Sequence, residues 1–234
     1  MTSQQDLEAL YPFLYSGSES GAADVDGVLA EVRQSTVDKA REIVDLRREV
    51  HRRDGARIAA CGAAMAGRFA RGGRLFAFGN GGSSTDAQDL ATTFMDPPPG
   101  FPPMPAFALT ADIAVVTALS NDVGFDVVFS RQLAAFARPE DIAVGLSTSG
   151  NSANLLSAFD EASRRGMLTV GISGDTGGKM AELGSIDHLF VVPSPSVHRI
   201  QEAQTTIYHV LAELAADGVP GGHPFDQPAP GWAT

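Results

Sequence analysis

Apolar positions along the chain fall into two regimes. Up to residue 71 they recur at helical spacing. Val28, Leu29, Val32, Val37, Ile43, Val44 and Leu46 form a partial stripe that predicts a long helix over Val28–Arg53. An alanine-rich stretch predicts a second helix over Asp54–Ala70, stopped by Gly72 and Gly73. Beyond that point short, mostly apolar runs alternate with helical patterns. The runs Leu75–Phe78, Ala106–Leu109, Ile142–Leu146, Leu168–Ile172 and His188–Val192 predict five strands. Helices are expected near Asp86–Phe94, Asp112–Ser120, Phe125–Ala137, Ala153–Arg165, Gly178–Gly184 and Val197–Ala216. Strands apolar on both faces and separated by helices belong to a parallel sheet covered on both sides. Right-handed crossovers then give an α/β, doubly wound, flavodoxin-like five-stranded parallel sheet preceded by N-terminal helices.

This pattern divides the chain into an arm over 1–27, a domain over 28–216 and a Pro/Gly-rich tail over 217–234. The arm carries an aromatic cluster, Tyr11-Pro-Phe-Leu-Tyr15, suited to packing on the domain or on a partner subunit. Between residues 97 and 103 five prolines exclude helix and predict a stiff, extended linker.

Two of the strands run into loops of similar design. After Ile142–Leu146 comes Ser147-Thr-Ser-Gly-Asn-Ser152, followed by a helical pattern. Hydroxyls and backbone N–H groups gathered at the positive end of a helix make an anion cradle, and a phosphate ester is its natural guest. After Leu75–Phe78 comes Gly79-Asn-Gly-Gly-Ser-Ser84. It lacks the glycine spacing of a dinucleotide fingerprint and the lysine of a P-loop, which lowers the case for a nucleotide. Two such loops suggest one ligand held from two sides. An ordinary turn rich in small residues remains the alternative for each.

Composition narrows the partners. The net charge of −11 argues against nucleic acid as the main partner. The single cysteine, Cys61, leaves no internal disulfide and no cysteine metal cluster. No run of 18 apolar residues and no basic-then-apolar leader is present, so no membrane segment and a cytoplasmic location are expected.

Several motifs, taken in order, resemble the sugar isomerase (SIS) fold. They are Phe78–Ser83, Leu119–Phe125, Gly145–Ser152, Gly177–Met180, Arg199–Glu202 and His209. Within that fold they are similar to the phosphoheptose isomerase branch, which converts sedoheptulose 7-phosphate into an aldose phosphate. The resemblance implies a homotetramer with active sites at subunit interfaces. It implies a phosphate held by Ser147, Thr148, Ser149 and Ser152, and a sugar contacted by Asn80, Gly81, Ser83, Asp122 and Gln201. It also marks departures. The branch usually has glutamate, its base, at Thr93, histidine at Asp89, arginine at Pro97 and aspartate at His198. Some members bind zinc through a His, Glu, Gln and His set, of which Gln201 and His209 are retained. No cofactor is therefore expected, and the weak metal set that remains is Asp89, Gln201 and His209.

Aldose–ketose isomerisation needs a base beside the carbonyl and an acid to move protons between two oxygens. Histidine titrates near neutral pH, so His209 suits the acid role. Gln201 lies two helical turns earlier, which lets both side chains face one pocket. Threonine is no base, but Asp89 lies one turn before Thr93 on the same helix face and is the candidate replacement. The bland alternatives are a packed histidine and a solvated aspartate. Two functions follow: a sugar-phosphate isomerase, or a non-catalytic sensor or scaffold that binds a sugar phosphate or a protein.

Overall fold

The computed structural model describes residues 25–97 and 100–219. The arm's aromatic cluster, Pro98, Pro99 and nearly all of the tail lie outside the described residues. Contacts divide the chain into two units, one ending at Val44 and one beginning at Asp45. Helix α1, Val25–Phe69, supplies the described part of the first unit, where Val28, Leu29, Val32, Val37 and Val44 are exposed.

A single helix replaces the two expected before Gly72. The expected boundary between Arg53 and Asp54 is held in helical geometry by pairing. Asp54 is buried and bonded by the guanidinium groups of Arg53 and Arg57, and no proline interrupts the backbone hydrogen bonds. The same two arginines reach the carbonyls of Val191 and Leu189.

The second unit contains β1 (Leu75–Gly79), α2 (Gly82–Met95), β2 (Ala106–Ala108), α3 (Ile113–Asp122), α4 (Val128–Phe136), β3 (Ile142–Leu146), α5 (Ala153–Arg164), β4 (Leu168–Gly174), β5 (His188–Val192) and α6 (Val197–Asp217). The strands form one parallel sheet in the order β2-β1-β3-β4-β5, with Leu75 opposite Ile142 and Ile142 opposite Leu168. All five predicted strands are present within two residues of their expected ends. The helix expected over Phe125–Ala137 starts instead as a 3-10 turn, Phe125–Val127, because Gly124 enters it at φ 139°. The segment expected as helix near Gly178 is likewise a 3-10 turn, Gly178–Glu182.

The core strands β1, β3 and β4 are buried at every position. Phe78 packs at a tilt against Phe129 and meets Phe159 edge-on, with ring centroids 5.5 and 5.3 Å apart. Burying aromatic rings of this size supplies much of the core's apolar stabilisation. At the base of the sheet Asp141, 1% exposed, accepts from the Arg74 backbone and guanidinium and from the Arg138 backbone, each at 2.8 Å. Edge strand β5 is covered on its carbonyls by Arg53 and Arg57, which closes a row of groups open to pairing with another chain.

The chain order reverses between β1 and β3. In an open α/β sheet that switch point creates a crevice at the carboxyl ends of the two strands. The two Gly/Ser loops leave from those two strand ends.

Candidate functional site

The first half of the site is the loop after β3. Ser147 continues the strand, its N–H bonding the Ile172 carbonyl at 3.0 Å. Its hydroxyl accepts from the Gly150 N–H at 3.0 Å and tightens the turn. Gly150 has φ 67°, and a Cβ there would lie 1.9 Å from the Gly177 carbonyl oxygen, so only glycine fits. The neighbouring Gly177-Gly178 turn is held through Asn151, whose side-chain oxygen accepts from the Lys179 N–H at 3.0 Å. Lys179 itself is exposed. Among the described residues the N–H groups of Thr148, Ser149 and Ser152 bond no acceptor, and Ser152 makes no side-chain cap for α5. Unpaired donors at the N-terminus of a helix of this length attract an anion.

The second half is the loop after β1. Asn80 and Asn154 exchange two amide hydrogen bonds, both 2.9 Å, and tie this loop to the first turn of α5. Gly81, at φ 55°, starts α2, and buried Ser83 follows. Gly82 lies under Gln201: a Cβ there would be 2.4 Å from the Gln201 amide nitrogen. Gln204, fully buried on α6, donates to the carbonyls of Ser147 and Ile172, both at 3.1 Å, and so joins the ends of β3 and β4.

Helices α2 and α6 pack side by side and run in the same direction, since contacts advance along both together. Gln201 Nε2 donates to Asp86 Oδ2 at 3.1 Å. One turn on, the Tyr208 hydroxyl donates to Asp89 Oδ2 at 2.6 Å, and His209 Nε2 lies 3.6 Å from the same oxygen. Further still, a cleft of about 660 Å³ opens between Thr92, Thr93, Asp96, Pro97, Phe101, His209, Ala212, Glu213 and Ala216. Burial pushes the Asp86 carboxyl above the usual range, aided by the nearby Asp89 charge, while the Gln201 bond pulls the other way. Burial raises the Tyr208 phenol as well, so it stays protonated and donates.

Asp89 and His209 are thus brought together, and His209 lines the cleft. Gln201 shares their helix face but bonds Asp86 rather than the Asp89–His209 pair. Thr93 faces the cleft with its hydroxyl donated to the Asp89 carbonyl at 2.9 Å. Asp122 stands exposed at the end of α3 and accepts from the neighbouring Asn121 amide, outside the cluster of loops. His198 is exposed in the first turn of α6. Asp89 is taken by Tyr208, Gln201 by Asp86, Thr93 supplies no carboxylate, and the described residues hold no group of three or more His, Cys, Asp or Glu placed for a metal.

Asn154, Gln204, Asp86 and Tyr208 were not singled out by sequence. The reach of Asn154 from α5 to Asn80 depends on the sheet order, which no local pattern encodes.

Comparison with known proteins now decides the family. Residues 40–174 match the model described as SIS domain. The chain belongs to the SIS domain family. It is 48% identical over 163 residues to a phosphoheptose isomerase of Desulfovibrio desulfuricans, covering 68% of this chain and 71% of that protein. It is 40% identical over 199 residues to a phosphoheptose isomerase of Pelodictyon phaeoclathratiforme, covering 83% and 94%. Among solved structures, the phosphoheptose isomerase of Neisseria gonorrhoeae superposes with a TM-score of 0.72 at 33% identity, covering 80% of this chain and 99% of that one. That of Francisella tularensis gives 0.74 at 30% identity, covering 80% and 98%. The SIS domain of this chain therefore carries the five-stranded parallel sheet of those structures, with its two loops at the switch point.

Proposed function

We propose that this SIS domain protein is an aldose–ketose isomerase acting on sedoheptulose 7-phosphate or a closely related ketose phosphate. The observation that carries the reading is the pairing of Asp89 with His209 at the mouth of a cleft, 3.6 Å apart. The match to phosphoheptose isomerases supports the substrate class.

The phosphate belongs at Ser147–Ser152, where unpaired N–H groups and hydroxyls collect. The cleft beside His209 is lined by two carboxylates, Asp96 and Glu213, and by no lysine or arginine, so it repels a phosphate. From Gly82 in the first turn of α2 to Asp89 the helix rises about 10 Å. A long sugar chain anchored by its far-end phosphate carries its reacting carbons toward Asp89. Asn80, Gly81, Ser83 and Gln201 line that path, and Asp122 acts on the sugar from a partner subunit.

In this reading the Asp89 carboxylate takes a proton from C1 of the ketose. The electron pair forms the C1–C2 double bond of an enediol as His209 gives a proton to O2. Asp89 then returns its proton to C2 while His209 removes one from O1, leaving the aldose and both residues unchanged. The scheme runs without a metal. A homotetramer fits the exposed apolar residues Ile113, Val123, Phe125 and Phe136, with α3 burying none of its side chains in one chain. A cytoplasmic location is also proposed; among the described residues no helix is long and apolar enough to cross a membrane.

The test is turnover of sedoheptulose 7-phosphate in a coupled assay, with and without added zinc, beside a thermal-shift titration with the same compound. Turnover that does not need zinc and is lost in Asp89→Asn supports the assignment. Thermal stabilisation without turnover points instead to the sensor or scaffold, the reading favoured by the lack of a base at Thr93. Undiminished turnover of Asp89→Asn removes Asp89 from the mechanism.

A further inference from the structure

Asp89 is an exposed carboxylate near the middle of α2, and free rotation would turn it toward solvent. Among the described residues one side chain donates a hydrogen bond to it, that of Tyr208. Tyr208 is 1% exposed, and its ring is fixed in the α2–α6 interface. Its hydroxyl has two neighbours, Asp89 Oδ2 at 2.6 Å and the Thr205 hydroxyl at 3.4 Å. Thr205 already donates to the Gln201 carbonyl, so it can serve Tyr208 only as an acceptor, and at the longer distance. The phenol proton therefore goes to Asp89. The Tyr208 ring also stands edge-on to His209, with centroids 5.0 Å apart at 84°, which restricts the imidazole on that side. Among the described residues Oδ1 of Asp89 forms no hydrogen bond, so the tyrosine binds one carboxylate oxygen and leaves the other open.

We propose that Tyr208 is the positioning residue of the isomerase site. It holds Oδ2 of Asp89 beside His209 and presents Oδ1 to the C1 proton of the sugar. The proton moves from C1 to Oδ1, the C–H electron pair becomes the enediol double bond, and the Tyr208 proton stays on its own oxygen throughout. A charge-assisted bond of this length is the shorter of the two contacts that hold the Asp89 carboxylate, the other being His209 Nε2 at 3.6 Å. Catalysis is sensitive to errors of about 1 Å in such placement. The inference rests on Asp89 being the base.

The test uses the full chain and sedoheptulose 7-phosphate, comparing wild type with Tyr208→Phe, Asp89→Asn and the double variant. Tyr208→Phe keeps the buried ring and removes only the hydroxyl. The expected result is a kcat lower by about tenfold or more with KM within about twofold, because ground-state binding does not pass through Asp89. The double variant is expected to be no slower than Asp89→Asn alone, since both changes remove one device. Asp89→Glu gives a second measurement on an unaltered Tyr208. Its longer arm leaves the hydroxyl bond, so its kcat falls although a carboxylate remains. Wild-type kcat in Tyr208→Phe, or losses that multiply in the double variant, overturn the positioning role, as does wild-type kcat in Asp89→Glu. If Asp89→Asn itself turns over at the wild-type rate, the base assignment fails first, and the two failures are told apart.

Discussion

Asn80 and Asn154 face each other across the switch point and exchange both of their amide hydrogen bonds, each 2.9 Å long. One belongs to the loop after β1, the other to the helix that follows the loop after β3. Strands β1 and β3 pair as far as Gly79 and Leu146, and this side-chain pair carries the tie beyond the ladder to the two halves of the site. Asn154 is buried. Asn154→Asp turns one of the two bonds into a contact between oxygens and buries a charge. It is expected to raise KM for the sugar phosphate by about tenfold or more, and to lower stability by about 1–3 kcal/mol in urea denaturation. An unchanged KM would show that the loops keep their spacing without the pair.

The loop after β3 makes a sharper case. At Gly150 the left-handed backbone and the Gly177 carbonyl together exclude any side chain. Gly150→Ala must open the turn that gathers the N–H groups of Thr148 and Ser149. The folded protein survives, because the strands and α5 lie outside the turn, but the rise in Tm on adding sugar phosphate is expected to disappear. A full ligand-induced shift in Gly150→Ala would place the phosphate elsewhere.

Stability at the other end of the sheet depends on Asp141. Its carboxylate answers two backbone N–H groups and the Arg74 guanidinium. Asp141→Ala leaves those donors without an acceptor where β1 and β3 begin. Arg74 retains some access to water, so the loss falls at the low end of the range for broken buried pairs, about 3 kcal/mol. Chemical denaturation reads it directly. The variant's active-site parameters are expected to stay unchanged in the folded fraction.

Asp86 gives a pH dependence with a definite sign. Burial and the Asp89 charge raise its carboxyl above the usual range, against the opposing bond from Gln201. A raised acid stabilises the fold below the unfolded-state pKa, near ~3.9, and that contribution is lost as pH rises through the higher folded value. Asp86→Asn keeps an oxygen for the Gln201 amide and carries no charge to bury. Its Tm is therefore expected to exceed that of wild type at pH 8, with the gap narrowing toward pH 4. A gap that widens toward acid would reverse the sign of the shift.

The fold was legible because its signals are local. Each of the strands is a mostly apolar run, and β3 and β5 begin and end where the predicted runs do. The two ligand loops announce themselves by hydroxyls and glycines that no strand or helix prefers. What stayed hidden depends on distant partners. The expected boundary between Arg53 and Asp54 disappears once Arg53 and Arg57 are seen to neutralise the aspartate. Tyr208 reads as one more apolar position on the buried face of α6, and only its packing against α2 reveals the hydroxyl's target. Gln201 and His209 share a face, as their spacing requires, yet the partner carboxylate of each was fixed by the relative register of two helices.

That register also decides what a restored glutamate can do. The phosphoheptose isomerase branch that this chain resembles usually has its base at the position of Thr93, one turn beyond Asp89. If the two positions were equivalent, Thr93→Glu would rescue Asp89→Asn. The surroundings argue otherwise. The Tyr208 hydroxyl points to Asp89, and His209 Nε2 lies beside the same oxygen. One helical turn displaces the carboxylate by about 5.4 Å, well beyond what proton abstraction from a bound sugar tolerates. A glutamate at 93 would also enter a cleft that already holds Asp96 and Glu213, where like charges oppose its ionised form. The double variant Asp89→Asn/Thr93→Glu is therefore expected to remain as slow as Asp89→Asn, within about twofold in kcat. Recovery to near the wild-type rate would mean that the pocket is still shaped for the older base, and that Asp89 replaced it without moving the substrate.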